Sequence, residues 1–194
     1  TIPSDNQPHR TTVGQIDLAA EYAYEATPKL VPAAFLRASV TNGSAPLLPG
    51  RINVFQGGDY IGQSRLGLVA AEAKFDLYLG VDDGIKITRE QKVPKEQMGG
   101  LLTSVKQYEL GFTIKVENFK GQAEKVIIHD QLPVSRTGEV KVAVQEMAPG
   151  AKRNEDSGKL TWEFELGAKQ SRELAVDYQV SCPPDTFVTG LPTG

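Results

Sequence analysis

His129 and Asp130 are the adjacent residues whose types could perform acid–base chemistry. An imidazole titrates near neutral pH, and a histidine beside a carboxylate is a common arrangement in general acid–base catalysis. The pair lies in a segment that alternates as a β-strand, however, and neighbours on a strand point to opposite faces. We therefore expect the two side chains not to meet. We interpret Asp130, which precedes Leu132-Pro133, as a turn residue at the end of a strand.

The sequence lacks the residue patterns of common metal-binding and catalytic sites. Two histidines, His9 and His129, and a single cysteine, Cys182, cannot form a recognisable zinc site. The acidic segments 82–84 and 154–156 lack the alternating ligands of a calcium-binding loop, so we interpret them as solvated turns. The sequence contains no Gly-x-Ser-x-Gly motif, and it predicts no catalytic residue, no metal and no cofactor.

Trp162 and the tyrosines are the side chains that could stack on a sugar ring. Trp162 alternates in phase with Leu160 and Phe164, which indicates that it packs inside the fold. Tyr22 and Tyr24 share the phase of their own strand, and we expect both to face inward as well. A glycan-binding surface would need at least two exposed aromatic side chains on one face.

These residues are carried by a long series of alternating segments. Apolar and polar residues exchange with a period of two, as half-buried strands require. The pair Gly57-Gly58 between two such segments predicts a β-hairpin, because a tight turn needs positive φ angles. The predicted strands are 16–26, 35–41, 51–55, 60–64, 74–79, 85–89, 108–117, 124–130, 140–144, 160–166 and 174–180.

The predicted fold is all-β with two β submodules. Residues 1–92 form the first submodule, and the polar stretch 93–104 is a connector, for which a short helix is an alternative. Residues 105–183 are typical of an immunoglobulin-like sandwich, although the Cys…Trp…Cys spacing is absent and the label describes architecture only. Residues 184–194 are a predicted flexible tail. Long strands such as 16–26 could be shared between the submodules.

Composition restricts the class of partner. The chain has 194 residues, a net charge of −3 and an isoelectric point of about 5.5, which argues against binding to nucleic acid. The sequence therefore predicts no nucleic-acid partner. It contains no apolar run near the roughly 18 residues of a membrane span. The basic cluster of the sequence consists of Lys86, Arg89, Lys92 and Lys95. Glu90 and Glu96 are interspersed in it, so we interpret this stretch as a solvated connector.

The order of corners and strands resembles the DUF4139 family, whose members include mucoidy-inhibitor A-type proteins. The likeness runs along nearly the whole chain, through the segments 1–5, 35–42, 47–50, 54–64, 75–82, 117–118, 130–135, 158–162 and 178–180. The first residue is Thr1 and not methionine, so we expect upstream sequence.

The resemblance implies the C-terminal β portion of a longer protein that carries an N-terminal domain and a coiled coil ahead of it. It also implies export to the periplasm or cell envelope and a link to capsule or exopolysaccharide, and it supplies no catalytic residues. We therefore predict a non-enzymatic interaction or scaffold module with an unknown protein or glycan partner in the envelope. The alternatives are a glycan-binding β-sandwich and a carboxylate-based hydrolase.

Overall fold

A computed structural model describes residues 14–56, 58–99, 105–186 and 188–191. The predictions for the segment 1–5, His9 and Gly57, and those for part of the connector and tail, lie outside the described residues. The described chain is all-β, as predicted, and contains no helix. Its strands are β1 (Ala20–Thr27), β2 (Val31–Thr41), β3 (Gly50–Gln56), β4 (Asp59–Leu66), β5 (Lys74–Val81), β6 (Ile85–Gln91), β7 (Lys95–Gly99), β8 (Val105–Asn118), β9 (Glu124–Gln131), β10 (Lys141–Met147), β11 (Lys152–Arg153), β12 (Lys159–Leu166) and β13 (Ser171–Cys182).

Every predicted strand overlaps an observed one, and two short strands, β7 and β11, were not predicted. The first strand begins at Ala20, four residues later than its alternation predicts. Tyr22 lies near its start with 57% of its surface exposed, so the inward orientation predicted for it is wrong. Tyr24 is buried as predicted. Alternation assigns a face of the strand to each residue, but it does not show whether that face is covered by other residues along the whole strand.

The chain divides into two compact units. The first contains the described residues of Thr1–Glu21 together with Ala38–Leu77. Its main element is the antiparallel hairpin of β3 and β4, which the two glycines predicted. Buried Asn42 holds the neighbouring loop, because its amide donates to the carbonyl oxygens of Ala45 and Ala70.

The second unit contains Tyr22–Arg37 and Tyr78–Gly194. Two sheets run through it, one with the order β11-β12-β9-β1-β2-β5 and one with the order β10-β13-β8-β6, to which β7 adds by pairing with β8. Only parts of β2 and β5 belong to this unit. The sandwich arrangement is consistent with the predicted class, and the immunoglobulin-like label stays a prediction. β1 and β9 pair in parallel, which the sequence pattern did not predict.

The two units differ from the submodules expected along the chain. In the expected connector, residues 95–99 form β7, and β6 lies on the other side of the predicted boundary but also pairs with β8. Residues 22–37 belong to the second unit too. The reason is that β8 and β9 pair with strands from earlier parts of the chain, β6 and β1. A compact unit therefore contains segments that are not consecutive in sequence.

Apolar residues from both sheets of the second unit form one core. Trp162 is 1% exposed, which confirms its predicted inward orientation, and its indole N–H donates to the carbonyl oxygen of Ala148 at 3.2 Å. The largest fully buried side chains include Phe112, Ile114, Ile128 and Leu174. A core of this size stabilises the unit mainly through the hydrophobic effect.

Gly158, just before β12, allows a test of this packing. It has φ +71°, and a Cβ there would overlap the carbonyl oxygen of Leu132, whose N–H donates to Gly158. Gly150 has φ +88° but open space around it. We expect Gly150→Ala to lose about 1–2 kcal/mol from the unfavourable φ alone. Gly158→Ala should lose clearly more, and urea unfolding of the two variants measures the difference. Equal losses would contradict the tight contact with Leu132.

Candidate functional site

The parallel pairing of β1 with β9 creates a polar cluster on the outer face of its sheet. Glu25 pairs with Ile127 in this register, and β12 places Thr161 directly opposite His129 on the other side of β9. Side chains that share a face of adjacent strands lie within contact distance. Glu25, His129 and Thr161, which are far apart in sequence, therefore meet in one row across three strands.

His129 is hydrogen-bonded through both ring nitrogens. Its Nε2 lies 3.2 Å from Glu25 Oε1, and its Nδ1 lies 3.0 Å from Thr161 Oγ1. An ionised carboxylate can only accept, so in the neutral ring Nε2 carries the proton and donates it to Glu25. Nδ1 then accepts from the Thr161 hydroxyl. The two neighbours thus determine the tautomer.

Burial and charge oppose protonation of this ring. Removal from solvent is the main cause that lowers the pKa of His129, and the positive charge of Lys159 lowers it further. Glu25 acts in the opposite direction without reversing the shift. His129 is therefore neutral near pH 7.

Glu25 also joins the row to the remaining strands of the sheet. Its Oε2 accepts from the Arg37 guanidinium at 2.8 Å and from the Tyr78 hydroxyl at 3.3 Å. Arg37 lies on β2 and Tyr78 on β5, so one carboxylate connects side chains of four strands, β1, β2, β5 and β9. The guanidinium provides its compensating charge.

A cavity of about 450 Å³ adjoins His129 where β1 and β9 end and β12 begins; we call it the strand-end cavity. The side chains around it combine two exposed lysines with polar groups and one exposed leucine. They are Glu25, Thr27, Lys29, Leu30, His129, Asp130, Gln131, Ser157 and Lys159. Because β1 and β9 run in the same direction, the turn after β1 carries Lys29 to the end of β9.

Asp130 points away from His129, as the alternation predicts. Its buried carboxylate accepts from Arg89 Nε at 2.8 Å and from the N–H of Gln131 at 2.7 Å. Our interpretation of Asp130 as a strand-end turn residue is wrong, because it lies within β9 and forms an ion pair with β6 of the other sheet. The Arg89 guanidinium also lies 4.2 Å from the centroid of the Phe112 ring.

The basic residues 86–95 are not a solvated connector as predicted. Arg89 is largely buried in its pair with Asp130, and Lys92 forms an ion pair with Asp177 at 2.6 Å. Two members of the cluster thus hold β-structure together. The sequence did not indicate these ion pairs, because their acidic partners, Asp130 and Asp177, are remote in sequence.

Asp82, in one of the acidic loops, is likewise a structural residue and not a freely solvated turn residue. Its Oδ2 accepts from the Tyr24 hydroxyl at 2.6 Å and from Lys120 Nζ at 2.8 Å, and its Oδ1 accepts from the N–H of Gly84. Burial, followed by the hydrogen bond to Asp82, raises the pKa of Tyr24 to about 12. Within the described ranges no group of three histidine, cysteine or acidic residues could hold a metal ion.

The hairpin of the first unit presents a different kind of surface. Phe55 and Tyr60 are directly opposite each other in the pairing of β3 with β4, and they are 59% and 56% exposed. Their ring centroids are 5.5 Å apart in an edge-to-face arrangement. Ile61 next to them is also exposed. We call these three residues the hairpin aromatic surface.

Sequence reasoning identified His129 but missed the partners that define its chemistry. Glu25 alternates with apolar residues in the predicted strand 16–26, which is the phase of an outward-facing position. Nothing local indicated that β1 would lie beside β9 in parallel, so Glu25, Arg37 and Tyr78 were not connected with His129. In the structure Nδ1 of His129 already forms a hydrogen bond with Thr161. The cluster is a set of hydrogen bonds that links neighbouring strands.

Comparison with known proteins identifies the class of this chain. Residues 1–184 match the family described as "Domain of unknown function (DUF4139)", and the chain belongs to that family. It is similar to Protein F37C4.5 of Caenorhabditis elegans, with 25% identity over 197 residues. The alignment covers 100% of this chain and 34% of that relative, so the chain spans about a third of its length. No solved structure gives a significant match. No helix in the described part of the chain is long and apolar enough to cross a membrane.

The Arg89–Asp130 pair can be tested by removing the charges in turn. Arg89→Met leaves a buried carboxylate without its cation, and we expect a loss of about 3 kcal/mol or more in the free energy of unfolding. Adding Asp130→Asn should recover part of the loss. Lys125→Met breaks the exposed pair with Glu163 and should cost less than about 1 kcal/mol. Similar losses for Arg89→Met and Lys125→Met in chemical denaturation would refute a buried ion pair that links the sheets.

His129 should make the stability depend on pH in one direction. Because its pKa is lower in the folded chain than the usual 6.5, the unfolded chain binds more protons between the two values. The stabilisation is complete above about pH 6.5 and is lost as the pH falls through the folded pKa. His129→Gln should therefore show a shallower loss of stability than the parent between about pH 7 and about pH 5. Parallel curves for the two proteins would contradict the assignment, and NMR titration of the ring gives the pKa directly.

Proposed function

We propose that this chain is a non-enzymatic interaction module of a longer protein and that its hairpin aromatic surface binds a protein partner. The observation that carries the proposal is the pair of exposed rings of Phe55 and Tyr60 in contact on one face. Aromatic side chains are enriched at protein interfaces and supply much of their binding energy. Ile61, the residue after Tyr60, is 40% exposed and adds apolar area to the same hairpin.

The backbone of the hairpin supports a protein partner in particular. Among the described residues, β3 and β4 form a sheet of two strands, so each has one edge without a neighbouring strand. Such edges can accept an extended segment of another chain through backbone hydrogen bonds. The aromatic side chains would then provide specificity.

The side chains of the second unit support a non-enzymatic role. A carboxylate-based hydrolase would need paired carboxyl groups in a concave site, with the pKa of one of them raised. In the strand-end cavity Glu25 faces His129, while Asp130 is turned toward Arg89. The pKa shifts resolved for carboxyl groups, those of Asp82, Glu117 and Glu163, are all downward.

The proposed setting is the cell envelope, with a link to capsule or exopolysaccharide. It is supported by the resemblance to mucoidy-inhibitor A-type proteins. The expected upstream domain and coiled coil are part of the same proposal and are consistent with a chain that spans about a third of its relative. An interaction module at the end of a coiled coil would be well placed to contact partners at a distance.

A glycan-binding module is the second candidate, and the same two rings favour it. Exposed aromatic rings stack on the apolar faces of sugars, and the hairpin presents two of them together. Their planes lie at 62° to each other, however, so they do not form one flat platform. The geometry therefore favours an uneven protein surface that packs over both rings.

The proposal predicts a position-specific contact in cells. A photo-crosslinking amino acid at position 55 of the intact protein should yield a discrete protein adduct, whereas the same group at the more exposed Leu68 should not. Phe55→Ser/Tyr60→Ser should reduce recovery of that partner about tenfold or more, because central aromatic contacts dominate interface energy. Stability should change by less than about 1 kcal/mol, since both side chains are exposed.

Leu68→Ser is the matched control and should keep the partner. Identical adducts at positions 55 and 68, or full recovery with the double serine variant, would overturn the proposed interface. An adduct of position 55 with polysaccharide, lost in the double variant, would establish the glycan-binding candidate instead.

A further inference from the structure

Two lysines and two carboxylates line the strand-end cavity. Lys29 and Lys159 line it, and neither forms an ion pair with a residue that the structure describes. The carboxylates at the cavity are both compensated elsewhere, because Glu25 pairs with Arg37 and Asp130 with Arg89. The two ammonium groups are therefore not paired with the carboxylates of the cavity.

The backbone places both lysines at the cavity, and a hydrogen bond also holds the side chain of Lys29. The turn after β1 holds Lys29 against the end of β9, where its Nζ donates to the carbonyl oxygen of Gln131 at 3.2 Å. That bond uses one of three ammonium hydrogens and leaves two for a ligand. Lys159 is the first residue of β12 and pairs with Gln131 across the sheet.

The cavity supplies further features of a small-molecule site. Its volume of about 450 Å³ falls in the range of such sites, which is roughly 300–1,000 Å³. The Thr27 hydroxyl provides a polar group, and exposed Leu30 provides an apolar one. The positive charge of Lys159 also reaches the His129 ring, where it lowers the pKa.

We propose that the strand-end cavity binds a small ligand through an anionic oxygen group, a carboxylate or a phosphate, held between Lys29 and Lys159. Ammonium groups bind such oxygens through charge-assisted hydrogen bonds. The inference does not depend on the proposed interaction surface, which uses other residues in the first unit. Either proposal can fail without the other.

The test uses the 194-residue chain and three small probes followed by NMR: inorganic phosphate, glucuronate and uncharged glucose. We expect a saturable shift of the His129 ring signal and of the backbone amides of residues 29 and 159 with at least one anion. Glucose should give none. The anion that binds more tightly identifies the preferred group, and added salt should weaken binding because charges at the rim are screened.

Lys29→Gln/Lys159→Gln removes both charges but keeps polar side chains at the two positions, and it should weaken anion binding about tenfold or more. Lys125→Gln is the matched control, because Lys125 lies on β9 of the same sheet but pairs with Glu163 outside the cavity. Its affinity should equal that of the parent, and an unchanged amide spectrum in each variant reports an intact fold. No saturable shift with either anion, an equal response to glucose, or parental affinity in the double variant would overturn the proposal.

Discussion

The parallel pairing of β1 with β9 is the interaction on which the second unit depends. It joins a segment near residue 25 to one near residue 128, and the register Tyr24↔Val126 and Ala26↔Ile128 puts the buried side chains of both strands into one core. Parallel neighbours need a long connection, and here the intervening chain supplies β2 to β8. The same pairing aligns the ends of β1 and β9, so it also determines which polar groups surround the strand-end cavity.

Two polar contacts lie on opposite faces of β9, one in the core and one on the outer face of the sheet. Asp130 faces the core and is compensated by Arg89 from the opposite sheet, whereas His129 faces outward and is held between Glu25 and Thr161. A buried ion pair contributes little net stability against an apolar alternative, but it penalises every register in which one partner lacks the other. Arg89 and Asp130 thus favour one alignment of the two sheets, whereas the outward row follows from the registers of β1 and β12 with β9.

Much of the fold could be predicted because alternation is a local property. The period of two located the strands, turned Trp162 inward and separated His129 from Asp130. Prediction from alternation failed where the environment of a residue depends on contacts with segments that are remote in sequence. Tyr22 has the inward phase but lies near the start of β1, where it remains exposed. Asp130 looked like a turn residue because its ion-pair partner, Arg89, lies 41 residues away.

The candidate sites were beyond sequence reasoning for the same physical reason. Glu25 and His129 are separated by 104 residues, and neither local propensity nor charge pattern specifies a parallel neighbour at that distance. The exposed rings of Phe55 and Tyr60 depend on a hairpin register that includes a shift between Val54 and Phe55. Such a shift reverses the face of the residues that follow it, as irregularities in a strand commonly do near functional surfaces. A pattern of alternation alone would have assigned these rings to a face without showing that they meet.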